Sequence, residues 1–151
     1  VKLDVYGTPA PQGSKRAFAV RGKGGIPTGK IAVIESSHDR VKSWRQAVID
    51  AALSDGGAMA AAIPVAVKML FFLPRPRSHY RTGKNAHLLR EGAPRRPAKV
   101  PDLSKLVRAT EDALTDSGLW ADDALVVEIS AMKFWADSRP PGAVIVIQET
   151  S

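Results

Sequence analysis

Residues 63–73 read IPVAVKMLFFL and halt at Pro74 and Pro76. An apolar run of that length, rich in valine and phenylalanine and closed by prolines, fits a central strand better than a helix. Downstream, Pro74 to Pro101 carries too many prolines and charges to fold by itself, and is expected to be a long loop that orders on its ligand. Asp102 then suits a helix cap, with Leu103, Leu106, Val107, Thr110, Ala113 and Leu114 forming one apolar face as far as Ser117-Gly118. Ala124 to Trp135 reads as a strand, Pro140-Pro141-Gly142 as a turn and Ala143 to Gln148 as a last strand, the two strands forming a hairpin.

Upstream, Val1 to Tyr6 alternates apolar and polar residues, the period of a strand with one buried face. Gly7 to Lys30 is rich in glycine and proline and predicts loop or hairpin, with Arg16 to Arg21 as a short edge strand and Lys30 to Glu35 as another strand. Ser36-Ser37-His38-Asp39 is a cap signal for a helix from about Asp39 to Leu53, ended by Gly56-Gly57. The expected architecture is α+β: a mixed β-sheet with two main helices packed on it, in a single domain over residues 1–151 with a long basic loop at 74–101.

With 151 residues, 44% of them apolar, the chain can bury one ordinary core. No apolar run is long enough for a membrane-spanning helix, and the first residues lack the layout of a secretory signal, so a soluble cytoplasmic protein is expected. The absence of cysteine excludes disulfides, thiolate nucleophiles and the commonest structural zinc sites. Carboxylates and three histidines remain as possible ligands, and any metal is expected to be a hard one. The net charge of +7 is concentrated: Pro74 to Pro101 holds eight basic residues against the single acid Glu91, leaving fourteen of each sign elsewhere. Arg75, Arg77, Arg81 and Lys84 are its expected contacts to a polyanion, with a solvated loop as the alternative.

The candidate chemistry lies in acids. Asp102 stands at a helix start, and Asp122-Asp123 stand at a strand start beyond a short turn, so the carboxylates are expected to converge at the helix's amino-terminal end. Such a set would bind Mg²⁺, which takes one or two carboxylates, waters and a substrate phosphate. On spacing alone, a cap at Asp102 and a turn at Asp122-Asp123 explain the same residues.

The stretch PDLSKLVRATEDALTDSGLWADDALV, Pro101 to Val126, resembles the signature of the RusA family of Holliday junction resolvases: Pro-Asp, a helix bearing Asp-Ala-Leu, a short turn, then Asp-Asp and a strand. GTPAPQGSKR, Gly7 to Arg16, is similar to the family's basic motif after its first strand, and Lys133 matches a lysine after the Asp-Asp strand. The resemblance implies Asp102, Asp122 and Asp123 as metal-binding and catalytic carboxylates, with Mg²⁺ as cofactor and Mn²⁺ as a substitute. Arg108 sits where many members have a catalytic lysine and is assigned to the site as a phosphate fork. Ser104 departs from the pattern, standing where better-known members have a second aspartate.

Asp112 matches as well, and is expected to be structural because it lies about three turns from Asp102. Lys15, Arg16, Lys105 and Lys133 join the loop cations as expected nucleic-acid contacts. Trp44, Trp120 and Trp135 are assigned to core packing, and Tyr80 to a loop anchor or a stacking surface for an unpaired base. The implied activity is metal-dependent nicking of branched DNA, four-way junctions above all, in recombination and repair, by a homodimer whose twofold axis matches that of the junction. A DNA-binding protein with weakened catalysis and a nuclease for flaps or forks are the rival readings.

Overall fold

The computed structural model describes residues 1–13, 15–35, 38–55 and 62–151, and the side chains of residues 15–18 and 32–35 are not part of that description. The elements in chain order are β1 (Lys2–Tyr6), β2 (Lys15–Arg21), β3 (Pro27–Glu35), α1 (His38–Ser54), β4 (Val65–Leu73), α2 (Leu103–Asp116), β5 (Val126–Trp135) and β6 (Gly142–Glu149), with short 3₁₀ turns between them. Four strands make a mixed sheet in the order β1-β6-β4-β5, while β2 and β3 pair separately as an antiparallel ribbon. The fold is α+β, as expected. The cap at Ser36-Ser37 and the stop at Gly56-Gly57 lie outside the described residues.

Strand β4 is the centre of the sheet. Its odd-numbered residues from Val65 to Leu73 are buried, and both its edges are paired, antiparallel to β6 and parallel to β5. Parallel pairing requires a crossover, and the chain makes it through the 74–101 segment and α2. The hairpin expected between β5 and β6 is therefore a correction: β4 lies between them. Residues 136–141 carry the chain past the end of β4, about two strand spacings or 10 Å, well within the reach of six residues.

Both helices pack on one face of the sheet. Val41, Trp44, Val48 and Ala52 of α1 and Leu106, Ala109, Ala113 and Leu114 of α2 are buried with Leu3, Val5, Met69, Phe71, Ile145 and Ile147. Thr110 is the one buried polar residue among those described, and it is fully satisfied. Trp44 Nε1–H donates to its Oγ1 at 3.0 Å, and that hydroxyl donates to the Leu106 carbonyl at 2.8 Å. A buried indole N–H needs such a partner, and here the bond joins the two helices.

Candidate active site

The entry to α2 is tied to the far end of β5. Lys133 lies opposite buried Phe71 and so on the helix side of the sheet, where its Nζ donates to the carbonyls of Lys99 and Pro101, each at 2.9 Å. Asp102 follows at the N-cap position with extended backbone, yet its carboxylate accepts no capping hydrogen bond. It is exposed, with Lys105 Nζ at 3.8 Å. Its side chain therefore does not cap the helix, and a carboxylate paired with Lys105 stands at the helix start. Ser104 and Arg108 are also exposed, in the first and second turns of α2.

The other acids gather at the opposite end of the helix. Trp120, buried beneath the turn after α2, donates its indole N–H to Thr115 Oγ1 at 2.8 Å and so holds that turn against the helix. Beyond it, Asp122 Oδ1 accepts the Ala124 N–H at 2.8 Å and opens the 3₁₀ turn Asp123–Leu125. This backbone bond first, and a hydrogen bond with the Asp123 side chain second, hold the Asp122 carboxyl below its ordinary range. Asp122 and Asp123 face an open cleft of about 300 Å³ lined also by Asp112, Thr115, Asp116 and Arg45. Arg45 of α1 pairs with Asp116 there. On the same helix the Glu111 carboxyl is raised above its ordinary range, by burial first and then by the charges of Asp123 and Asp112.

A helix of 14 residues is roughly 21 Å long, so one chain does not bring Asp102 to the Asp122-Asp123 pair. The convergence expected at the helix's amino-terminal end is corrected by the strand direction. Strand β5 begins at Val126, ten residues after α2 ends at Asp116, and so starts near that helix's carboxyl end. Among the described residues no three His, Asp or Glu side chains are placed to hold one ion. The Asp122-Asp123 pair nevertheless fits a hard divalent cation: two adjacent carboxylates, one oxygen committed to a backbone N–H, open to water and phosphate. Glu111, Asp116 and Arg45 were not singled out from sequence. The i, i+4 spacing of Asp112 and Asp116 was the available signal for a shared face, whereas the Arg45 contact depends on tertiary packing.

The basic segment proves to be folded on the chain's own groups. Arg75, whose side chain is only 4% exposed, makes two parallel bonds to Asp137 at 2.9 and 2.8 Å, donates to the Pro94 carbonyl at 2.8 Å and lies 5.0 Å from the Trp135 ring centre. Its expected role as a phosphate contact is thereby corrected to that of an anchor. Trp135 adds an indole bond to Pro94 at 3.0 Å and an edge contact with His79, so this tryptophan, partly buried against the core as expected, also pins the loop. Tyr80 and Leu89 form a β-bridge, with Arg81 Nε donating to Leu89 and Arg90 Nε to Tyr80 across it. Arg77 and Lys84 project into solvent from the short turns of the loop. Lys133, expected to contact nucleic acid, spends two donors on the backbone just before Asp102. Lys15 and Arg16 open β2, their side chains lying outside the description.

The family model described as Endodeoxyribonuclease RusA matches residues 8–148. No curated protein matches the chain.

Proposed function

Because the chain belongs to the RusA endodeoxyribonuclease family, we propose that it nicks branched DNA, four-way junctions above all, in a divalent-metal-dependent reaction serving recombination and repair in the cytoplasm. The observation that carries the metal-dependent reading is the side-by-side pair Asp122-Asp123, exposed on a cleft lined also by Asp112 and Asp116 of α2. Four aspartates on one open cleft, with Arg45 paired to Asp116, leave negative charge that a bound cation would offset. Mg²⁺ held there, with Mn²⁺ as a substitute, would neutralise the scissile phosphate and supply an activated water. Asp102 contributes a second carboxylate position at the other end of α2, and Lys105 and Arg108 stand on the same helix to bind phosphate oxygens.

A twofold homodimer is the simplest assembly that lets Asp102 act with the Asp122-Asp123 pair: the copy that lacks one end of the site at a given strand receives it from its partner. It also gives two sites for the two strands of a junction. Cleavage of a labelled four-way junction with and without Mg²⁺ tests the whole reading, with flaps, forks and duplex as comparison substrates at matched salt. Nicking that needs the metal and prefers the junction is expected. A second reading, junction binding without cleavage, is favoured by Ser104 in place of an acid in the first turn of α2. Binding without metal-dependent nicking in the same assay would establish it.

A further inference from the structure

The face of the sheet that no helix covers carries a row of aromatic residues in a single cross-strand register. Tyr6 of β1 pairs with Gly142 of β6, Gly142 with Phe72 of β4, and Phe72 with Phe134 of β5. Buried Phe71 and Leu73 point toward the helices, so Phe72 lies on the open side. The row spans about 14 Å at the usual strand spacing. The Phe72 and Phe134 rings are stacked, with centres 5.5 Å apart and planes inclined by 21°. Tyr6, at the other end, is 63% exposed.

Two arginines lie on this row. The Arg96 guanidinium, from the basic loop, sits 4.6 Å from the centre of Phe134. The Arg139 guanidinium, from the β5–β6 connection, sits 4.3 Å from Phe72 and 5.8 Å from Tyr6, over the gap that Gly142 leaves between them. Arginine on aromatic faces is ordinary packing when the charge is answered nearby, as Asp137 answers Arg75. Neither Arg96 nor Arg139 has a carboxylate in salt-bridge range among the described residues. Arg139 Nε donates to the Pro140 carbonyl at 3.3 Å, and its Nη2 is buried without a hydrogen-bond partner. The acids of the same face lie farther along the strands: Asp4 is two residues from Tyr6, and Glu128 is six residues from Phe134.

We propose that this row is a seat for unpaired nucleotides of DNA. Guanidinium forks already held flat on rings suit phosphate oxygens, their outer planes suit bases, and the exposed Tyr6 ring offers one more stacking surface. The polymer's identity rests on the nuclease reading, and the position agrees with it. Phe134 adjoins Lys133, which on the other face of β5 holds the backbone leading into Asp102. A strand leaving the paired arms of a branch would thus rest its open bases on one face of β5 while its next phosphates round the strand's edge toward Asp102.

The test is binding of a labelled twelve-residue oligothymidylate, read by fluorescence anisotropy without divalent ions, beside a blunt duplex of the same length. In the double variant Arg96→Gln/Arg139→Gln, affinity for the single strand should fall about tenfold. The log–log salt slope should lose about 1.4, two phosphate contacts at roughly 0.7 each. Duplex affinity should change less than about threefold. Tyr6→Ala should weaken the single strand and Tyr6→Phe should not. In the unaltered protein, 5-iododeoxyuridine in the oligonucleotide should photocrosslink to Tyr6, a measurement independent of any variant's folding. Unchanged single-strand binding in the double variant, equal losses on both substrates, or crosslinks confined to other residues would each overturn the seat. Because no metal is present, a wild type that fails to nick junctions while these binding differences appear sinks the nuclease reading and leaves the seat standing.

Discussion

Two aspartates of the proposed site differ in what holds them. The Asp102 carboxylate accepts no capping hydrogen bond at the head of α2, and Lys105 Nζ lies 3.8 Å from it. Removing its charge should therefore cost almost no stability, and Asp102→Asn and Asp123→Asn are each expected to abolish metal-dependent nicking while junction affinity holds or rises. A variant that nicks at close to the wild-type rate would remove that residue from the site. Glu111 makes a separate case at the same scale. Its carboxyl is raised by burial and by the Asp123 and Asp112 charges, so the folded chain holds that proton more tightly than the unfolded one. The associated stability is fully present below the ordinary glutamate range and is lost as pH rises through the raised value. Glu111→Gln should then be more stable than wild type at neutral pH, by about 0.5 kcal/mol on the scale of a like-charge pair, and should lose its advantage in acid. Thermal melts across pH 3–8, a range of about five units around the carboxyl values, would show this; a pH-independent difference would not fit.

At the scale of elements, the basic loop joins two kinds of cation that composition alone counts as one. Arg75 supports the loop through Asp137, Pro94 and Trp135, whereas Arg77 and Lys84 are open to solvent. Arg75→Lys keeps the charge but loses the planar fork and the ring contact. It should lower stability by about 1–2 kcal/mol and expose residues 74–101 to proteolysis, with little change in the salt dependence of DNA binding. Arg77→Gln/Lys84→Gln should do the reverse, reducing the slope on duplex by up to about 1.8. Periodicity made α2 and β4 legible because the helical and strand patterns are local, and Asp102 was found at the helix start for the same reason. The partner of β5 was not legible. Pro140-Pro141-Gly142 signals a turn, but a turn does not say whether the next strand lies alongside or one strand farther on. That ambiguity also hid the separation of the acids, since direction within the sheet decides which end of α2 meets Asp123. The anchoring of Arg75 depends on Asp137, 62 residues away, and no local pattern encodes it.

For the whole molecule, the length of α2 makes oligomeric state a question about chemistry. If a homodimer completes each site with Asp102 from one chain and Asp122-Asp123 from the other, the inactive variants Asp102→Asn and Asp123→Asn should complement when mixed under subunit exchange. One of the two sites in each mixed dimer would then be intact. Recovery of single-strand nicking, with little paired cleavage, is expected, and no recovery in verified mixed dimers would show that each chain carries its own site. The sheet that supports these sites has a further consequence for how the protein is made. Strand β6, the last of the described strands, lies between β1 and β4 and pairs with both. During synthesis β1 therefore waits for this neighbour while every intervening element is made, and β4 waits with one hydrogen-bonding edge bare. Open edges on a partly made sheet invite pairing with other chains, so the nascent protein should lean on chaperones most heavily just before β6 emerges.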